Sequence, residues 1–115
     1  MKGAIATVTI FMVLFVGTGS AWGVTSGNEL YELLTSESLY SQYTGGSYIL
    51  GVMDTTDSIN KVWHLPLLWT IPPGFTKGQI YEAVKQYLEK HPEERNDTAY
   101  GLVSKALGNA FPPKK

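Results

Sequence analysis

The stretch "IPPGFTKGQIYEAVKQYLEKHPEERND", from Ile71 to Asp97, is the most regular part of this chain. Thr76 stands where a helix N-cap is expected, and Gln79 completes a capping box three residues later. Pro92 ends the helix. Charged side chains cover one face, and the apolar face consists of Ile80, Ala83, Val84, Tyr87, Leu88 and His91. The pattern predicts a helix that packs on a core, and nothing in it is typical of an active site.

A further helix follows directly downstream. We expect Asn96 or Asp97 to cap it and Pro112-Pro113 to stop it. The triplet Asn96-Asp97-Thr98 also matches a glycosylation sequon, but we interpret it as the helix cap. The predicted apolar stripe is Ala99, Leu102, Val103, Ala106, Leu107 and Ala110, closed by Phe111.

Upstream lies "NKVWHLPLLWTIPPGF", residues 60–75, a proline-rich loop that is unusually apolar. Three prolines forbid a continuous helix here. One interpretation is a loop pinned across the core by its apolar side chains. The other is a partner-binding surface, because tryptophan is enriched in such contacts. Both hold if one of Trp63 and Trp69 is buried and the other exposed.

The segment before this loop carries three glycines. Its spacing predicts a helix from about Ser38 to about Ile59, with an apolar stripe of Tyr40, Tyr43, Leu50 and Met53, widened by Ile49. Gly45, Gly46 and Gly51 each cost about 1 kcal/mol relative to alanine in a helix, so we expect them to allow close backbone approach. The alternative is two strands around a turn at Thr44-Gly45-Gly46. Ahead of it, "SGNELYELLTS" predicts a short helix from Gly27 to Thr35, with a capping box of Ser26 and Glu29.

The N-terminus has the pattern of an export signal. Lys2 precedes an uncharged apolar run from Ala4 to Val16, and small residues follow as far as Ala21. An uncleaved membrane anchor is the alternative, but the run is short of the ~20 residues that span a bilayer. We therefore predict a signal peptide at residues 1–21, a domain at 22–115, a periplasmic location, and no membrane association after cleavage.

Composition limits the function of the predicted domain. Without Lys2 it carries 8 basic and 10 acidic residues, which is not a nucleic-acid-binding balance. A domain this small is marginally stable alone, and the chain has no cysteine for a disulfide, so self-association is expected. A triad of Ser47, His64 and Asp57 can be drawn, but the glycine pattern of a nucleophile elbow is missing. We expect no catalytic residues, no metal and no cofactor.

Several motifs together resemble a known family. They are "SGNEL", "Y-x-x-G-x-Y-I-x-G-V-x-D" from Tyr43 to Asp54, "P-x-G-x-T-x-G-Q" from Pro72 to Gln79, "Y-L-E-x-H-P-E" from Tyr87 to Glu93, and "A-L-x-x-A-F-P" from Ala106 to Pro112. This set is similar to the Rap/Tai family of immunity proteins against type VI secretion amidase effectors. The resemblance implies an exported, all-α homodimer that occludes a peptidoglycan amidase without chemistry of its own. Family members commonly carry two cysteines, and the nearest positions here are Leu34 and Thr70.

The sequence therefore predicts an all-α fold: a small bundle of about four helices with the proline-rich apolar loop before the third. The leading function is that of an amidase-binding immunity protein. The alternative is a small periplasmic helical protein without a cognate effector, acting as a chaperone or an apolar-ligand carrier. We expect the partner-binding residues to be Asp57, Lys61, Trp63, His64 and Trp69.

Overall fold

A computed structural model describes residues 24–114 of the chain. The predicted signal peptide, residues 1–21, lies outside the described residues. Over that part of the chain there is no strand, only an isolated bridge between Ser26 and Thr98, so the all-α prediction is confirmed. The elements are α1 (Gly27–Thr35), α2 (Leu39–Trp63), α3 (Lys77–Lys90), a 3₁₀ turn (Pro92–Glu94) and α4 (Ala99–Ala110).

Each helix begins at a hydroxyl side chain that accepts a backbone N–H. The capping box of Thr76 and Gln79 is confirmed in both directions, at 3.2 and 2.8 Å. The predicted cap of α4 is wrong: Thr98, not Asn96 or Asp97, accepts the N–H of Gly101 at 3.3 Å. The Asp97 carbonyl accepts instead from the N–H of Gly27, the first residue of α1, at 3.0 Å.

At α1 the bounds match the prediction, but the capping box is only half formed. Ser26 accepts the N–H of Glu29 at 3.2 Å. The Glu29 carboxylate reaches one residue beyond the cap and accepts from the N–H and hydroxyl of Thr25, at 3.2 and 2.8 Å.

Helix α2 is one turn longer than predicted and presents a different face to the core. Tyr40 and Tyr43, assigned to the apolar stripe, are 80% and 77% exposed. The buried face consists of Gly45, Gly46, Ile49, Val52 and Thr56. The predicted face was chosen by its large apolar side chains. The face that packs closely on the core is instead the one that contains Gly45 and Gly46, which have no Cβ. The strand alternative is wrong.

Two of the three glycines in α2 permit close packing, as expected. A Cβ on Gly46 would lie 2.6 Å from the Tyr81 ring of α3, and one on Gly45 would lie 3.0 Å from Leu34 of α1. Gly51 has no such close neighbour within the chain, since a Cβ there would meet nothing within 4 Å.

All four helices contribute to one core. Ala110, predicted to belong to it, is exposed, whereas Phe111 beyond the end of α4 is 7% exposed. His91 is half-buried as the C-cap of α3 and stacks on Tyr87, with ring centroids 4.1 Å apart. The buried apolar residues are Leu30, Ile49, Val52, Ile80, Val84, Leu88, Ala99, Leu102, Val103, Ala106, Leu107 and Phe111. Across residues 24–114, none of the helices combines the length and the apolar character that a bilayer crossing requires.

Candidate partner-binding surface

The loop between α2 and α3 is anchored at its second half. Trp69 and Ile71 are half-buried and pack against the core. The Thr70 N–H donates to the Phe111 carbonyl at 3.0 Å, and Phe75 meets the Phe111 ring edge-on, with centroids 4.9 Å apart. These contacts tie the second half of the loop to the end of α4.

The end of α2 and the first half of the loop are instead unusually exposed for such apolar residues. We call this surface the apolar shoulder; it consists of Ile59, Val62, Trp63, Leu65, Leu67 and Leu68, which are between 44% and 72% exposed. Ile59, Leu65 and Leu68 line a hollow of about 350 Å³, with Tyr100 also in its wall. Sequence reasoning noted how apolar the loop is, but it selected the tryptophans and missed these aliphatic residues.

The chain turns sharply at His64, between the two parts of the shoulder. His64 is the C-cap of α2 with φ 53° and ψ 42°, the left-handed conformation in which helices commonly end. Among the described residues it is the only non-glycine with positive φ. The N–H of Leu65 donates back to the Asn60 carbonyl at 2.9 Å. The chain therefore turns sharply after Trp63, and the loop lies beside the end of α2.

The five predicted contact residues are not all on one face. Asp57 and Lys61 form an exposed ion pair of 2.9 Å, and the hydrogen bond from Lys61 to that carboxylate raises the Lys61 pKa. Trp63 follows Lys61 by two residues, about 200° around a helix, so it points to the other side. Trp63, 72% exposed, thus belongs to the shoulder, and His64 lies at the turn beside it. Asp57 and Lys61 lie on the opposite flank, and Trp69 is directed toward the core.

Residues 26–113 match the family model described as Rap1a immunity proteins. The chain belongs to this family. The match covers all four helices and the whole apolar shoulder, and it confirms the resemblance drawn from the sequence motifs. No curated protein and no solved structure gives a significant match. Membership of an immunity family implies that the protein binds a partner effector protein.

The geometry of this Rap1a-family chain does not assemble the triad considered above. Ser47 and Asp57 lie ten residues apart on the same helix, roughly 15 Å along its axis. In a triad one imidazole must hydrogen-bond to both the serine and the aspartate, and this separation is too large for a single ring to bridge.

One cluster in this immunity protein has metal-ligand chemistry. Ligand atoms of His91, Glu93 and Glu94 lie within 4.8 Å of one another. However, the Glu94 carboxylate already accepts from Lys105 at 2.9 Å and from the Tyr87 hydroxyl at 3.0 Å. The hydrogen bond from Lys105 lowers the pKa of Glu94. These contacts connect α3 to α4 and account for the cluster structurally.

Proposed function

We propose that the protein is exported to the periplasm and protects the producing cell by binding and occluding a type VI secreted peptidoglycan amidase. The observation that carries this proposal is the apolar shoulder at the end of α2, on a chain that belongs to an immunity family. A contiguous exposed apolar patch rimmed by polar groups is typical of a protein interaction site. Occlusion needs only such a surface and no catalytic group.

The shoulder is suited to binding because it is already ordered before the partner arrives. Pro66 restricts its backbone, and the Thr70 and Phe75 contacts hold the following loop against Phe111. A preorganised loop loses little conformational entropy when it docks. Trp63 supplies a large, mostly exposed ring of the kind that dominates interface energies.

Polar groups around the shoulder would set the orientation of the bound effector. His64 offers an exposed imidazole at the turn, and the Asp57–Lys61 pair offers both charges on the opposite flank. Such exposed pairs contribute little affinity by themselves, so they are proposed as rim contacts. Trp69 is proposed to support the loop from beneath, and it would affect binding through loop position.

The test uses the product of an amidase-like reading frame beside this gene, with binding measured by calorimetry. Trp63→Ala should lose about 2 kcal/mol or more, close to thirtyfold in Kd, with an unchanged melting temperature. Glu89→Ala, an exposed change on α3, is the control and should bind as the unmodified protein does. Full affinity and full inhibition by Trp63→Ala combined with Leu67→Ala would contradict the proposal.

The protein is also proposed to act as a homodimer. A domain of roughly this size buries only about 60–65% of its unfolded surface and is marginally stable alone. The chain has no cysteine, so a disulfide cannot compensate. Association of two copies would bury further apolar surface and stabilise the fold by mass action.

A second candidate function has one specific observation in its favour. The hollow of about 350 Å³ beside Leu65 and Leu68 is within the size range of small-molecule sites, which favours an apolar-ligand carrier. Titration with a fluorescent apolar probe tests it. Saturable binding that Leu68→Arg abolishes would support the carrier, and no saturable binding would reject it.

A further inference from the structure

The outward face of α2 contains a glycine that no neighbouring side chain within the chain requires. Gly51 is exposed near the middle of a 25-residue helix, and a Cβ there would meet nothing within 4 Å. Glycine in a helix interior is unfavourable relative to alanine. Gly45 and Gly46 are explained by their neighbours in α1 and α3, but Gly51 has no such neighbour.

Exposed apolar residues lie at equal distances on both sides of Gly51. Tyr40 and Val62 are each eleven residues from it. Eleven residues are close to three helical turns, so Tyr40, Gly51 and Val62 lie along one line on the helix surface. Tyr40 and Val62 are 80% and 69% exposed, and the positions between them on this line carry small side chains.

We propose that a second copy of this chain packs antiparallel on the outward face of α2, with the two-fold axis at Gly51. This inference rests on the proposed homodimer and names its surface. A two-fold interface must be self-complementary, so residues equidistant from the axis face one another. Tyr40 of one copy then packs on Val62 of the other, and the missing Cβ atoms let the helices approach closely at Gly51.

The available area favours full overlap of the two helices. A stable interface needs roughly 800 Å² from each partner. The rings of Tyr40 and Tyr43 supply on the order of 300 Å² per copy, so a contact at one end of α2 is insufficient. Antiparallel pairing uses both ends of a helix that is roughly 37 Å long, so it adds Val62 and the small side chains along the line between.

Charge favours the antiparallel direction over the parallel one. Residues 39–53 of α2 carry no charged side chain, whereas Asp54, Asp57 and Lys61 all lie in its second half. A parallel pair would place these charges opposite their own copies. In an antiparallel pair each charged half faces the uncharged half of the partner, so like charges are kept apart. The second copy covers Val62 of the shoulder, whereas Trp63 and Leu65 lie outside this face and remain available to an effector.

Disulfide trapping tests the geometry directly, because the natural chain has no cysteine. Gly51→Cys should form an intermolecular disulfide on mild oxidation, since a disulfide needs Cα atoms about 4.4–6.8 Å apart and only an axis position meets its own copy. Val62→Cys alone should not cross-link, because its two copies would lie roughly 33 Å apart along the helices. A mixture of Tyr40→Cys and Val62→Cys proteins should form the mixed disulfide.

Circular dichroism of each variant should match the natural chain, which confirms that the substitutions leave the fold intact. Sedimentation of the unmodified protein separates the two proposals. A dimer whose Gly51→Cys variant stays uncross-linked, or whose Val62→Cys variant cross-links with itself, overturns this interface but not the homodimer. A monomer at tens of micromolar overturns both.

Discussion

At the scale of single residues, Gly27 shows how a short motif fixes the packing of two distant segments. Its N–H donates to the Asp97 carbonyl at 3.0 Å, and the next N–H, of Asn28, donates to the Arg95 carbonyl at 2.8 Å. The Arg95 guanidinium lies 4.1 Å from the centre of the Tyr31 ring. The start of α1 is thus fastened to the turn before α4, which the sequence pattern alone did not indicate.

Gly27→Ala should destabilise the protein by about 1–3 kcal/mol, because the new methyl would overlap Leu102 and lie 3.0 Å from the Arg95 carbonyl oxygen. Urea denaturation measures the change. Gly78→Ala is the matched control: its nearest neighbour would be 3.9 Å away, so it should be neutral or stabilising by up to ~1 kcal/mol. Equal stability of the two variants would contradict this account of the close approach.

Glu94 gives a pH-dependent prediction at the same scale. Its pKa lies below the ordinary 4.5 because Lys105 donates to it, so its stabilising contribution is present above that value and is lost as pH falls through the lowered pKa. Glu94→Gln should therefore lower the melting temperature at pH 7, and the difference from the unmodified protein should shrink as the pH falls below 4.5. Thermal scans from pH 3 to 7 measure it; a difference that stays constant with pH would reject this role.

At the scale of elements, the sequence predicts what is locally encoded. The bounds of α1 and the capping box of α3 follow from Ser26, Thr76 and Gln79, whose bonds span three residues. The face that α2 turns toward the core could not be predicted from the sequence. It depends on which side chains of other helices pack against Gly45 and Gly46. Similarly, the two loop tryptophans have nearly the same sequence context, and only the contacts of the folded chain separate them.

The loop tryptophans should differ sharply in their effect on stability. Trp69→Ala removes a half-buried ring from the core and should cost about 2–3 kcal/mol, below the range for fully buried rings. Trp63→Ala changes a side chain that is 72% exposed and should stay within about 0.5 kcal/mol of the natural chain. Chemical denaturation of both variants measures this. A larger loss of unfolding free energy for Trp63→Ala than for Trp69→Ala would contradict the assignment of Trp69 to the core and of Trp63 to the surface.

At the scale of the whole molecule, the described chain divides its exposed apolar surface between two regions. The loop part of the apolar shoulder, together with Trp63, is proposed for the effector. The outward face of α2, which includes the shoulder residue Val62, is proposed for a second copy. Trp63 and His64 were selected from sequence because tryptophan is enriched in partner contacts and a histidine can meet polar groups in a partner's cleft. Val62, Leu65 and Leu67 were not, since an apolar residue shows its exposure only after the chain has folded.

The most direct test of the central claim, that the apolar shoulder binds the effector, is hydrogen–deuterium exchange of the purified protein with and without the neighbouring amidase. We predict that complex formation slows exchange in residues 59–68, while Leu102, Val103, Ala106 and Leu107 of α4, already buried in the core, change little. Protection confined to other segments, with residues 59–68 exchanging at the free rate in a saturated complex, would contradict the account.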